Sequence, residues 1–389
     1  MIDTGFIKSI KRECRHLSSR RIYFFAMIVI PLVMAAFLLG LMKNGLPLHI
    51  PTAIVNHDNT EDTRKLIRNI KSSEEVSVVA VVDNEAEAMR MIRKGKIYGF
   101  YVIPFNFTQN ATAGRSPELA YYTNSTFFIP SSLLYRSLKT NSVLASGALV
   151  KTYLVSSGTA TDAQAQALLQ PVVLQTNPIR NPESNYSVYL CNSFIPTALA
   201  LMILLVTAFS IWHEEKMQTS PQWIATARGS ITIALLGKLL PQTVVFTAVG
   251  VLTQAMMYGW LHFPMHCSAW QVVGTMLLFV LANQGFAVFI SGLMPNLRMA
   301  LSFCSLFGIL TFSIGAFSFP LEDMYGWIAI FSYILPSRYY FLIYVDQVLN
   351  GLPLYYSRFY YAALLAFMLL PLLVACRIKR SALHPVYVP

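Results

Sequence analysis

Hydrophobic positions along this 389-residue chain fall into two blocks with a polar stretch between them. One apolar run occupies Ile22–Met42. Residues 43–187 are largely polar, and five further runs follow at approximately Val188–Ile211, Leu239–Trp260, Trp270–Leu293, Met299–Phe317 and Phe359–Cys376. Each is about 20 residues long, the length at which an α-helix crosses a hydrocarbon core. None of the six contains a charged side chain. A seventh apolar stretch, Trp327–Leu349, holds Pro336, Arg338 and Asp346 and makes a poor single span. It reads instead as part of an outward-side element over residues 318–358 that dips partway into the bilayer. Backbone of that kind survives only where protein or a water-filled cavity satisfies it.

The polar stretch changes period. His49–Asn56 predicts a strand, and Thr60 caps a helix carrying Leu66, Ile67 and Ile70 on one side, with Glu61 and Asp62 in its first turn. Val76–Val82 predicts a second strand. Asn84 with Glu87 opens a helix that ends at Gly95, and Ile97–Ile103 and Leu119–Thr123 complete a small sheet. Residues 130–170, rich in Ser, Ala, Leu and Gln, predict helices leading back to the membrane. Four Asn-x-Ser/Thr sequons, at Asn106, Asn110, Asn124 and Asn185, arise as readily by chance here as by selection for glycosylation.

Ahead of the first run, Ile2, Phe6, Ile7, Ile10, Cys14 and Leu17 share one arc of a helix, and Lys8, Lys11, Arg12 and Arg15 share the other. Such a segment either lies on anionic headgroups or is a helical flank of the first span. Hydrophobic residues make up 55% of the chain and charged residues only 12%, which excludes an ordinary soluble enzyme. The net charge of +11 raises the question of nucleic acid, but its location answers it. The basic residues cluster at membrane flanks: Lys8 to Arg21 at the N-terminus, Lys216, Arg228 and Lys238 between the second and third runs, and Arg377, Lys379 and Arg380 at the C-terminus. This predicts positive-inside topology and no nucleic-acid partner. Six spans then put both termini and residues 212–238 in the cytoplasm, with 43–187 and 318–358 outside. Among the shorter connections after the second run, Arg338 and Arg358 are the outer-side exceptions.

The chain carries no GxxxxGK[ST], since Gly237-Lys238 is followed by Leu239; it has no HExxH, no GxSxG and no spaced Cys/His set. It predicts neither an enzyme nor a metal protein. A gradient-driven carrier usually keeps an ionisable group inside the bilayer, and uncharged runs speak against one. A membrane-anchored sensor whose exported domain binds a ligand is the other reading the pattern allows.

The segment after the second run reads His213-Glu214-Glu215-Lys216-Met217-Gln218-Thr219, then Trp223-Ile224-Ala225-Thr226, then Gly237-Lys238-Leu239-Leu240-Pro241. It resembles the permease subunits of ABC-2-type exporters through Glu214, Thr219, Thr226, Gly237, Lys238 and Pro241. Gln218 stands where that family usually has Gly, and Ala227 where it usually has Pro. Gly237 and Pro241 alone suit the start of any span, and Thr226 suits a helix cap. Ala88, Gly95, Ile103-Pro104, Phe107 and Gly114 resemble the exported domain of drug-export-like members. The runs Gly315 to Met324, through Phe319, Pro320, Leu321 and Glu322, and Leu335-Pro336-Ser337-Arg338-Tyr339 resemble the family's re-entrant segment.

The resemblance implies an α-helical membrane protein with six transmembrane helices plus an extracytoplasmic α/β domain. Its parts are an amphipathic helix (1–21), a first span (22–42), the exported domain (43–187), a five-helix region (188–376) with coupling loop 212–238 and re-entrant segment 318–358, and a cytoplasmic tail (377–389). It implies a multi-pass export permease in a bacterial inner membrane, and the uncharged runs, with many Phe, Leu and Met, suit a hydrophobic or amphipathic compound. Such a subunit binds no cofactor itself. ATP is used by separate ABC ATPase subunits, a second copy or a paralogous permease completes the dimer, membrane lipid surrounds it, and there is room for a periplasmic adaptor. Glu214 and Glu215 are then expected as an acidic docking patch beside Trp223, an aromatic anchor for the ATPase. Arg338 and Asp346, about 12 Å apart along a helix, are expected to face water or separate polar groups at the outer mouth.

Overall fold

In the computed structural model, residues 3–43, 45–113, 115, 117–170, 180–181, 185–315, 317 and 321–385 are described. They form two compact units, residues 1–45 with 178–389 and residues 46–177.

Among the described residues of the first unit, six helices are long and apolar enough to cross a membrane: Arg21–Leu41, Tyr186–Lys216, Ile231–Trp260, Ala269–Leu293, Leu297–Ile314 and Leu354–Leu383. They are numbered first to sixth below. The seventh apolar stretch is two limbs, Gly326–Tyr333 and Pro336–Leu349, that meet at 81°. Pro336 explains the break: its ring disfavours helical backbone at Leu335, which is extended, and it then starts the second limb. The helices outrun their apolar cores. The second continues past Ile211 through His213-Glu214-Glu215-Lys216, and the third begins at Ile231 instead of Leu239. Lys238 therefore lies within the third helix, so the expectation of uncharged spans holds for the apolar runs and fails for the helices that carry them.

The core of this unit is shared by Tyr23 and Met27 of the first helix, Leu199 and Ile203 of the second, Phe246 and Val249 of the third, Met276 and Phe279 of the fourth, and Tyr340 of the bent pair. In lipid there is no hydrophobic force between helices, so close packing and hydrogen bonds must hold them. Gly285 lets the fourth helix lie on the backbone of the sixth: a Cβ there would meet the Phe367 carbonyl oxygen and come within 2.9 Å of Met368 Cα. Side-chain bonds cross between helices as well. Tyr258 donates to Asn192 at 2.6 Å, Thr243 to Gln284 at 2.7 Å and Gln254 to Tyr340 at 2.9 Å. Such bonds contribute about 0.6 kcal/mol each on average.

The second unit is an α/β layer structure. Strands β1 (Ile50–Asn56), β2 (Val76–Val82), β3 (Gly99–Ile103) and β4 (Ala120–Thr123) form a sheet in the order β2-β1-β3-β4. The first two pairings are parallel and β3–β4 is antiparallel. Side chains of a strand alternate between faces. Ile50 and Ile54 accordingly join Leu66, Ile70, Leu134 and Leu138 on one side, while Ala53 and Val55 join Ala88 and Phe100 on the other. Thr60 caps Glu61–Lys71 in a capping box completed by Thr63, and Asn84 caps Glu85–Arg93 through Ala86 N at 2.7 Å. Gly95, at φ +67°, ends that second helix in the left-handed region where a Cβ is costly.

Candidate functional site

The segment between the second and third helices is far from an open loop. The second helix runs to Lys216, a short helix covers Ser220–Thr226, and the third starts at Ile231. The N-terminal helix Asp3–Ser19 packs across the start of the third. The close approach depends on Gly237, where a Cβ would run into Ser9 Cβ. With backbones that near, short polar side chains of one helix reach those of the other.

At this crossing four charged groups meet. Lys238 Nζ lies 2.9 Å from Glu13 Oε2 and 3.0 Å from Glu214 Oε1, and all three side chains are at most 3% exposed. Arg12 grips Glu214 with both ends of its guanidinium, at 2.7 and 2.6 Å. Thr219 donates to Glu214 Oε2 at 2.6 Å, and Gln242 donates to Glu13 Oε1 at 3.1 Å. Two cations and two carboxylates cancel, so the cluster is buried without net charge. That neutrality makes its burial tolerable, because an isolated ion costs several kcal/mol to desolvate. Trp223 closes the site: Lys238 Nζ stands 5.1 Å from its ring centroid, and its Nε1 donates to the Ala234 carbonyl at 3.2 Å. Beside the cluster Arg20 contacts His213, and burial holds the His16 imidazole below its ordinary pKa against the opposing pull of Glu214.

The structure thus brings Glu214, Thr219, Trp223, Gly237 and Lys238 together and corrects how they act. Glu214 and Trp223, each 2% exposed, are internal and offer neither an acidic patch nor an anchor to a partner. Glu215 turns away from the cluster and accepts from Ser381 of the sixth helix at 2.8 Å. Thr226 bonds back to the Gln222 carbonyl at 2.8 Å, within its own helix. Pro241 lies inside the third helix, one turn beyond Gly237.

Arg12, expected among the headgroup-facing residues, is half-buried on Glu214, whereas Lys8, Lys11 and Arg15 are exposed. Glu13 and Gln242 were not singled out by sequence reasoning. A signal existed: Glu13 is the one acid among the basic residues from Lys8 to Arg21, and Gly5, Ser9 and Glu13 repeat every four residues. That spacing draws a narrow face of small residues ending in a carboxylate.

The other candidates sit elsewhere. Pro320 lies outside the described residues. Leu321 and Met324 are half-buried, with Met324 N on the Leu321 carbonyl at 3.1 Å. Arg338, 7% exposed, donates to Ser332 at 3.1 Å and lies 5.0 Å over the Tyr333 ring, so it ties the two bent limbs together. Asp346 accepts from Ser357 at 3.1 Å.

A bundle of apolar helices with a neutral ion cluster locked at one end defines a multi-pass membrane protein with mechanically joined helix ends. The profile of the ABC-2 family transporter proteins matches residues 21–377, and the chain belongs to that family. It is a membrane transport component, a permease. The helix that supplies Arg12 and Glu13 lies ahead of the matched stretch. No curated protein matches the sequence.

Proposed function

We propose that this permease is the membrane-spanning subunit of an ATP-driven exporter, worked by separate ATPase subunits and paired with a second copy of itself or a paralogous permease. The observation that carries the reading is the buried ion cluster. It joins the N-terminal helix, the end of the second helix, the short helix and the start of the third into one block. A push on the short helix is then passed to two spanning helices instead of being absorbed by a slack loop. The sequence has no phosphate-binding loop, so the push comes from another chain. Flanking Lys and Arg orient this block and both termini to the cytoplasm of a bacterial inner membrane, leaving the α/β unit and the bent pair on the outer side. The apolar runs suit a hydrophobic or amphipathic cargo.

With Trp223 and Glu214 internal, the ATPase meets the exposed face of Met217, Gln218, Gln222 and Ala225. The test is copurification with a soluble ATPase encoded beside this chain, together with ATP-dependent export from proteoliposomes. Met217→Glu combined with Ala225→Arg is expected to weaken ATPase binding by roughly thirtyfold, the cost of losing one interface hot spot. The ion cluster and membrane insertion stay intact in that variant. Transport by the purified chain without any ATPase would overturn the reading.

A further inference from the structure

Next to Glu214 on the second helix, Glu215 faces a different space. A cleft of about 130 Å³ opens between the end of that helix, the short helix and the C-terminal part of the sixth helix. Its polar lining includes Trp212, Glu215, Ser220, Arg377 and Ser381, while Ser291 of the fourth helix is already bonded to the Ala287 carbonyl at 2.7 Å. Two of these groups are buried and unpartnered: Trp212 Nε1, in a residue 7% exposed, and Ser220 Oγ, in a residue 2% exposed. A buried polar atom without a partner costs about 1–3 kcal/mol, so such a pair points to a ligand that supplies the missing bonds. Arg377 is exposed at the rim, where Nη2 donates to the Leu293 carbonyl at 3.1 Å. A guanidinium carries five N–H donors, and this bond uses one of them. Glu215 accepts from Ser381 with one oxygen.

The donor set and the carboxylate select a particular chemistry. Indole N–H, hydroxyl and guanidinium together suit a phosphate, which accepts from all three. A plain anion would also meet the Glu215 carboxylate, and a plain cation would meet Arg377. A ligand with a phosphate and a primary ammonium a few bonds apart satisfies both ends. Apolar side chains are exposed next to Arg377: Leu293, whose carbonyl it holds, is 41% exposed, and Leu373, one helical turn before it, 74%. Leu293 ends the fourth helix and Leu373 lies within the sixth, and together they offer a track for acyl chains.

We propose that this cleft holds the headgroup of a zwitterionic aminophospholipid of the phosphatidylethanolamine class. The phosphate sits on Trp212 Nε1, Ser220 Oγ and Arg377, the ammonium on Glu215, and the acyl chains run along Leu293 and Leu373. That the lipid comes from the inner leaflet rests on the orientation proposed above. Its presence does not, and its measurement is independent of ATPase docking. A lipid so placed wedges the short helix against the sixth helix.

The test is native mass spectrometry of the purified chain after delipidation, titrated with phosphatidylethanolamine, phosphatidylcholine, phosphatidylglycerol or soluble phosphoethanolamine. One phosphatidylethanolamine is expected per chain, bound about tenfold more tightly than the other two lipids, since one well-made charged contact is worth about that much. Arg377→Gln and Glu215→Gln are each expected to abolish the preference, Ser220→Ala to reduce it severalfold, and Arg380→Gln to leave it unchanged. Arg377→Lys keeps the charge, perturbs packing least and should retain part of the preference. Equal retention of the three lipids, or a preference that survives both Arg377→Gln and Glu215→Gln, overturns the proposal. Soluble phosphoethanolamine binding as tightly as the lipid overturns the lipid assignment.

Discussion

Replacing Lys238 with Met removes the cation that bridges two buried carboxylates while nearly keeping its length. Glu214 retains Arg12 and Thr219, but Glu13 is left with Gln242 alone. Breaking a buried pair by deleting one partner typically costs about 3–5 kcal/mol, because the surviving charge is uncompensated. The N-terminal helix is held to the third helix through this group, so the cost falls on its docking. At 1.4 kcal/mol per tenfold, its undocked population should rise on the order of a hundredfold or more. Trypsin reads that population directly when opening is fast relative to cleavage. Lys8, Lys11 and Arg15 are exposed cleavage sites on the helix, and loss of an N-terminal tag from detergent-solubilised protein reports their cutting. Glu13→Gln alone should cost less, since Lys238 keeps Glu214. The double variant Glu13→Gln/Lys238→Met leaves Arg12 paired with Glu214 and no orphan charge, and should cut within about tenfold of the native chain, as neutral replacements of buried pairs commonly cost little. If the double variant instead cuts at the product of the two single effects, the groups are not coupled and the cluster does not hold the helix.

Three further outcomes follow from the same geometry. Gly237→Ala should release the N-terminal helix by about 1–3 kcal/mol of overpacking against Ser9, and Ser9→Gly in the same chain should recover part of it in the trypsin assay. Trp223→Phe keeps an aromatic ring but loses the pyrrole ring and its bond to the Ala234 carbonyl, and should lower the melting midpoint by an amount equivalent to more than about 1 kcal/mol, the bond's share alone. His16 has a folded pKa held below its ordinary 6.5 by burial, among Glu13, Glu214, Arg12 and Lys238. A depressed imidazole pKa means that its share of stability is present above about pH 6.5 and is lost as pH falls through the folded value. The melting midpoint should therefore drop on acidification from pH 7 to 5, and His16→Gln should flatten that part of the drop.

The six apolar helices were legible because a membrane demands about 20 apolar residues in a row, a property local in sequence. The sheet was legible for a similar reason: Thr60 and Asn84 cap helices by rules that act within one turn. Helix ends were not, since the second and third helices carry on into charged sequence once the charges find partners in three dimensions. Glu214 and Lys238 stood out as a family-like run, yet their burial depends on Glu13, which is 225 residues away from Lys238. No periodicity spans that distance. Glu214 and Trp223 were misread as docking groups because Glu214-Glu215 beside Trp223 looks polar and solvated until the neighbouring helix is in place. The bent pair was foreseen from Pro336, Arg338 and Asp346, but the bond from Arg338 to Ser332 across the bend was not.

The distance from Glu13 to Lys238 also sets an order of events while the chain is being made. The N-terminal helix leaves the ribosome first, and its partner follows 225 residues later. At about 5–20 residues per second, that is a wait of roughly ten seconds or more. Throughout it Glu13 has no Lys238 to neutralise it, and the helix has its basic residues and its apolar arc with which to hold a surface. Lipid headgroups can serve Lys8, Lys11 and Arg15 in the meantime, and those residues are still exposed when folding is complete. Glu13 and Arg12 must then roll from water into the crossing as the third helix arrives, which makes closure of the cluster a late step, one that registers that the first three spans are all in place.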